Sequence, residues 1–229
     1  METSLHRELK QLYASSDDQI EVRMGPFIID AIADGELVEI QHGSLGAIRD
    51  KCRTLLKDHQ LRVIKPIVAR RQLVKLTRKN GRVKGRRLSP KRGTILDLFH
   101  ELIYFTKVFP HPNLYLDVIL VDIEEWRYPK PLRKRRWRRP DFKIQDQLLV
   151  EIRERRSFHT TSDLLELIPT DLSTPFHTGH LAEAMGVQRW FAQRITYALR
   201  EIKAISVVGK QGNARLYKIR RTRQVKKAG

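Results

Sequence analysis

Gly25-Pro26-Phe27-Ile28-Ile29-Asp30-Ala31-Ile32-Ala33-Asp34-Gly35-Glu36-Leu37-Val38-Glu39-Ile40-Gln41 is the stretch from which the fold is read. Two apolar, β-branched runs flank Asp34-Gly35, a dipeptide suited to a two-residue hairpin turn because both central residues need positive φ. Such a loop sets Asp30 opposite Glu39 across the ladder. Cross-strand Cβ atoms lie roughly 4.5 to 5.5 Å apart, and like charges there repel unless something compensates. Strand alternation puts Gln41 on the face of Asp30 and Glu39, and turns Ile29, Ala31, Val38 and Ile40 toward a core. Two carboxylates and an amide are hard oxygen donors, suited to Mg²⁺ or Mn²⁺ rather than zinc. The plainer reading of the same face is a polar, solvated side of an ordinary hairpin.

Asp30 followed by Glu39-x-Gln41 on the next strand resembles the PD-(D/E)xK nuclease superfamily, in which a hairpin of this kind holds the metal. The third position is usually Lys there; here it is Gln41, the Glu-x-Gln form found in some restriction endonucleases. A carboxylate from the first helix often joins the site, and Glu8 matches it. The resemblance spans about the first 125 residues, in the order helix, strand hairpin, helix, strand. It implies an α/β fold with a restriction-endonuclease-like mixed sheet and helices on both faces. It also implies Asp30, Glu39 and Glu8 as metal ligands, Gln41 orienting the attacking water, and phosphodiester hydrolysis with Mg²⁺ or Mn²⁺. Lys65 and Lys51 are candidates for a relocated motif lysine.

Composition points to the same class of partner. The chain of 229 residues carries 45 basic and 26 acidic side chains, a formal charge of +19. Such a field implies a polyanion, with double-stranded DNA the expected one. The basic helices lack the amphipathic arrangement that an anionic membrane would need. Residues 1–125 hold 21 basic and 17 acidic groups, against 24 and 9 in residues 126–229. The single cysteine, Cys52, excludes an internal disulfide and reads as a buried thiol in a reducing cytoplasm, with a nucleoid location for a DNA-binding protein. The start has no basic and apolar leader pattern, so no secretory signal is expected. Leu114 to Ile123 is too short and too charged to span a bilayer.

In chain order, a first helix is expected over residues 4–14, extended chain from Gln19 to Arg23, the hairpin, and a helix capped by Ser44 and running to about Asp58. A strand follows over Leu61–Ile67, then a helix from Thr94 to Phe109 and a strand over Leu114–Glu124. His42 reads as a turn residue or a phosphate contact. From Arg70 to Arg92 there are eleven Lys or Arg and no acid, with a turn at Asn80-Gly81. Arg82, Lys84, Arg86 and Arg87 would line strands that grip a nucleic-acid backbone. Residues 126–141 read as a basic linker in which Trp126, Tyr128 and Trp137 alternate with bases, Arg135 and Arg136 among them. They would either stack on exposed nucleobases or dock on a neighbouring domain.

Residues 142–219 resemble a mainly α winged helix-turn-helix domain. The expected elements are a helix near Gln145–Arg155, one over Ser162–Leu167, Thr178 to Gly186 as helix and turn, and a long helix from Val187 to Lys203. A strand-turn-strand from Ile205 to Ile219 would form the wing. Arg189, Gln193, Thr196 and Arg200 would face a DNA groove, with Lys210 and Arg215 on the wing. Residues 220–229 read as a basic tail. The favoured reading is a metal-dependent DNA endonuclease of residues 1–125 targeted by a C-terminal DNA-binding domain. A homodimer is plausible on the ground that double-strand cutting uses two sites. The alternatives are a noncatalytic DNA-binding regulator on a nuclease-like scaffold, and an RNA-directed nuclease.

Overall fold

The computed structural model describes residues 2–130 and 141–220. The chain divides into two compact units, each assembled from separated segments. Residues 1–42, 59–97 and 116–156 form the first, and residues 43–58, 98–115 and 157–229 the second.

The first unit is mixed α/β, built on a large mixed sheet. Helix α1 (Ser4–Tyr13) starts at Thr3, whose hydroxyl accepts from the His6 amide. Strands β1 (Ile20–Met24), β2 (Phe27–Ala33) and β3 (Glu36–Ile40) form an antiparallel meander. The Asp34-Gly35 loop has φ of +48° and +82°, and the ladder runs Ala33 to Glu36, Ile32 to Leu37 and Ala31 to Val38, the register expected from the sequence. The continuation of the sheet is β4 (Leu61–Leu76), parallel to β3, with β5 (Val83–Leu88) as its hairpin partner, then β6 (Leu114–Pro129) and β7 (Phe142–Phe158). Leu5 and Leu9 of α1 pack on Ala31, Val38, Ile40, Ile64, Ile119, Val121 and Ile123. Arg62 of β4 bridges Glu36 and Asp117 at 2.9 Å each.

Strand β7 corrects two expectations. Gln145–Arg155 is rich in helix formers, yet it is extended, because pairing in the sheet satisfies its backbone and its side chains find partners there. Leu149 and Ile152 pack against the core. Arg153 donates twice to Asp122, at 2.6 Å each, and Gln147 donates to Glu125 at 2.9 Å. The segment that joins β6 to β7 therefore connects neighbouring strands of one sheet, with the Lys130 amide bonded to the Asp141 carbonyl at 3.0 Å, and does not tether two domains. Residues 131–140, including Arg135, Arg136 and Trp137, lie outside the described residues, as do residues 221–229. In place of one division near residues 125–142 the chain crosses between the units repeatedly, the last time between residues 156 and 157, near the end of β7.

In the second unit, Ser44 caps a 3₁₀ turn (Leu45–Ile48) that leads into α2 (Arg49–Leu55). The expected Thr94–Phe109 helix is a 3₁₀ turn over Ile95–Asp97, in the first unit, then in the second a short α3 (Leu98–Leu102) and turns beyond. Then come α4 (Thr161–Leu165), with a Thr160/Asp163 capping box, α5 (Thr178–Ala184) and α6 (Arg189–Glu201). Gly186 at φ +62° ends the α5 turn. A ribbon of β8 (Ile205–Gln211) and β9 (Ala214–Ile219) closes the unit, and Phe176 exchanges backbone hydrogen bonds with Tyr217. Among the described residues no helix is long and apolar enough to cross a membrane.

A Cβ added at Gly35 would meet nothing within 4 Å, so its cost is conformational alone. Gly35→Ala is expected to destabilise by about 1 kcal/mol, because alanine is strained at φ +82°, and Asp34→Gly to change stability by only a few tenths of that, because relief of strain at φ +48° is offset by a freer unfolded chain. Urea unfolding of the two variants checks the order; the reverse order would show that the turn does not hold the hairpin.

Candidate functional site

At the end of the β2–β3 ladder the two strands part. The Ile40 amide donates to Asp30 Oδ2 at 2.8 Å, so a side chain takes a position that backbone would otherwise hold. Asp30 Oδ1 meets His6 Nε2 at 3.2 Å. Its carboxylate thus lies in the opening of the sheet, on a cavity of about 490 Å³ lined by Glu2, His6, Lys10, Glu21, His42 and Gln147 among others. Lys10 is buried, and Glu21 accepts from it at 2.5 Å while Glu2 also pairs with it. Burial opposes its charge, but these hydrogen bonds outweigh that and hold its pKa above the ordinary lysine value.

The parallel register of β3 and β4 pairs Glu39 with Val63 and Ile40 with Ile64, and the Gln41 amide continues it to the Ile64 carbonyl at 2.9 Å. Laterally paired residues of parallel strands share a face, so Glu39, Gln41 and Lys65 project from the side of the sheet opposite Ile40. Glu39 and Lys65 are buried, at 7% and 4% exposure. Lys65 Nζ donates to the His42 carbonyl at 3.0 Å, so the lysine is held close to the end of β3.

Glu8 is not part of this arrangement. At 100° per residue it lies about 160° round the helix from His6 and from Lys10, the α1 residues that line the Asp30 cavity. The Leu5–Leu9 stripe separates the two flanks, so Glu8, expected on the buried stripe, lies on the flank away from the Asp30 cavity. His6 and Lys10 went unrecognised; their signal is the four-residue spacing of Glu2, His6 and Lys10. Among the described residues no three His, Cys, Asp or Glu side chains converge as a metal-binding group. Lys51 lies on α2, in the second unit.

His42 belongs to the Asp30 cavity. Its ring lies 5.4 Å from that of His6, and its buried Nε2 meets no hydrogen-bond partner among the described residues. Burial, reinforced by His6 and Lys65, pulls its pKa down to about 4, against a smaller opposing pull from Asp30.

The expected nucleic-acid contacts fall in two places. In the first unit Arg82, Lys84, Arg86 and Arg87 are exposed on and beside β5, whose every residue is exposed. Arg86 is shared with Glu124 and lies 5.7 Å from the Trp126 ring. In the second unit Arg189, Gln193, Arg200 and Arg215 line one concavity of about 340 Å³ between α6 and the ribbon, with Asn213 beside them. Lys210 pairs with Arg215 across the ribbon and is exposed. Thr196 lines the same concavity, but it is 2% exposed and its hydroxyl donates to the Gln193 carbonyl at 3.0 Å. A threonine one turn after Gln193 bonds back along its own helix, a local alternative that helical spacing does not reveal.

The chain belongs to the family described as Domain of unknown function (DUF8091), whose model matches residues 3–159. That match ends just past β7, in accord with β7 completing the first unit's sheet. The chain is also 28% identical over 219 residues to an "Uncharacterized protein" of Treponema pallidum (strain Nichols), covering 95% of this chain and 85% of that one. No solved structure matches significantly.

His42 supplies a pH test in metal-free buffer. Its folded pKa lies below the unfolded value near 6.5, so between about 6.5 and about 4 the unfolded chain binds a proton that the folded chain refuses. Its contribution to stability is therefore full above about pH 6.5 and lost as pH falls toward 4. In wild type against His42→Asn, the difference in unfolding midpoint should change across this window and be flat above it. A difference independent of pH would contradict the burial of a neutral ring.

Proposed function

We propose that the protein is a metal-dependent DNA endonuclease of the PD-(D/E)xK type, directed to DNA by a winged helix-turn-helix arrangement in its second unit. The supporting observation is the hairpin register: the ladder ends at Ala31 and Val38, so Asp30 and Glu39 are the next residue on each strand, where the Ile40 amide bonds the Asp30 carboxylate.

The residues present suit a hard dication. Glu39 and the Gln41 amide are oxygen donors with Lys65 as a buried positive charge on their side of the sheet, and the Asp30 carboxylate stands where the ladder opens. Asp30 and Glu39 would hold Mg²⁺ or Mn²⁺, which when bound lowers the pKa of a water and offsets charge on the phosphate. Gln41 orients that water by hydrogen bonding and supplies neither proton nor charge. Lys65, anchored through the His42 carbonyl, supplies the positive charge that the Glu-x-Gln motif lacks, facing the charge that develops on the scissile phosphate. His6 holds Asp30 Oδ1 and so fixes the carboxylate's orientation.

In the second unit α5, the Gly186 turn and α6 follow in helix-turn-helix order, and the β8–β9 ribbon supplies the wing. Arg189, Arg200 and Arg215 give the concavity the positive charge that a phosphate backbone requires, with the Gln193 amide among them.

A second reading has its own support. Both Asp30 oxygens already accept or share hydrogen bonds, and no three-residue metal group converges among the described residues. A noncatalytic DNA-binding protein on the same scaffold would bind tightly without metal and break no strands.

Nicking of supercoiled and branched DNA with Mg²⁺ or Mn²⁺ separates the two. Asp30→Ala is expected to abolish cleavage, and Lys65→Met to reduce it by about 10²-fold, the usual loss for one transition-state charge partner. Glu8→Gln is expected to leave it unchanged. Full cleavage by Asp30→Ala would remove the assignment. In a separate binding measurement, Arg189→Ala with Arg215→Ala should lower the salt slope of duplex binding by about two, one for each phosphate no longer neutralised; an unchanged slope would place the DNA elsewhere.

A further inference from the structure

The exposed side of α6 carries more than basic groups. Trp190 and Tyr197 stand two helical turns apart and are 54% and 45% exposed. Between them lie Gln193 and Arg194, and with Ile103 these four side chains line a concavity of about 510 Å³. It adjoins the α6–ribbon concavity, and the two share Gln193 and Tyr197. No acid lines either one.

Each aromatic ring has a guanidinium beside it. Arg194 lies 5.7 Å from the Trp190 ring and Arg200 lies 5.5 Å from the Tyr197 ring. The nearest acid in sequence, Glu201, is engaged by Arg200 at 2.9 Å. His100 stacks on Trp190 and on Phe191, with ring centroids 5.6 and 4.3 Å away. Trp190 is thus held by a ring behind it while more than half of its surface stays open. Burying two large aromatics would stabilise the unit, so their exposure in fixed orientations is costly unless a partner covers them.

A paired duplex offers phosphates, sugars and base edges, but hides the faces of its bases. Single-stranded DNA offers phosphates to the guanidinium groups and flat, unstacked bases to the rings. We propose that this face of α6 binds unpaired DNA bases, so that the protein recognises DNA with a single-stranded segment, such as a fork or branch, rather than a continuous duplex. This rests on the proposed role of the second unit in binding DNA. It does not depend on the metal site. The Trp190-to-Tyr197 span, seven residues at 1.5 Å each, is about 10 Å, enough for two or three nucleotides.

The test is binding, measured in EDTA so that nothing is cut. The probes are a labelled oligothymidylate of about 20 nucleotides, a duplex of equal length and an oligouridylate. Wild type should bind oligothymidylate at least as tightly as duplex at equal salt. Trp190→Leu with Tyr197→Leu should weaken oligothymidylate binding by about ten- to a hundredfold and duplex binding by less than about threefold. Trp190→Phe, which keeps a ring, should retain the affinity and lose most of the DNA-induced quenching of tryptophan fluorescence. That readout stands even if the leucine pair unfolds.

A preference for duplex, equal weakening on both probes, or quenching unchanged in Trp190→Phe would overturn the proposal while leaving DNA targeting by this unit intact. Oligouridylate bound about tenfold tighter than oligothymidylate would overturn the assignment to DNA. Absence of binding to every probe would overturn this inference together with the targeting role. Absence of cleavage alone would touch only the metal site.

Discussion

The Asp30 carboxylate, accepting the Ile40 amide where β2 and β3 part, is the hydrogen bond around which the first unit's geometry is set. One rung earlier, Ala31 and Val38 lock the hairpin by ordinary pairing and bury against Leu5 and Leu9. One rung later the sheet opens. A polar side chain at that point satisfies a backbone group that would otherwise be orphaned, and an unsatisfied buried amide costs about 1–3 kcal/mol. The same side chain is therefore structural and exposed to chemistry: it closes the ladder and borders a cavity. A positive-φ turn a few residues away sets its register, which is why an Asp-Gly reversal has consequences for a carboxylate beyond its own strand pair.

The basic side chains of the two units, each taken by itself, are of two kinds. Lys10 and Arg62 are spent on structure, the first between Glu2 and Glu21 and the second between Glu36 and Asp117. Lys65 donates to the His42 carbonyl, and its position follows the parallel β3–β4 register. Lys84 and Arg87 on β5, and Arg189 on α6, are exposed basic groups that no buried packing accounts for. Exposed like charges of this kind repel one another.

Much of this was legible in the sequence because short-range rules governed it. Asp34-Gly35 set the hairpin, Ser44 marked the next cap, and the spacing of Phe191, Ile195, Ala198 and Leu199 marked the buried side of α6. What was not legible depended on distant partners. Gln145–Arg155 has the composition of a helix and becomes strand because sheet neighbours and Asp122 are available to it. Glu8, expected between Leu5 and Leu12 on a buried stripe, lies at its edge because the stripe that buries is Leu5–Leu9, with Leu12 left 53% exposed. The interleaving of the two units, with residues 43–58 and 98–115 leaving the first unit's sequence to join the second, has no composition signal at all.

The enzyme proposal stands or falls on Asp30 and Glu39 binding a divalent cation together. Calorimetric titration of Mn²⁺ into the wild-type chain, into Asp30→Asn and into Glu39→Gln tests this without any substrate. Expected is a binding isotherm in the wild type that is abolished or weakened at least about tenfold in each variant, the loss that follows when one charged ligand of a small oxygen site is removed. Identical isotherms for all three proteins, or no binding by wild type, would contradict it.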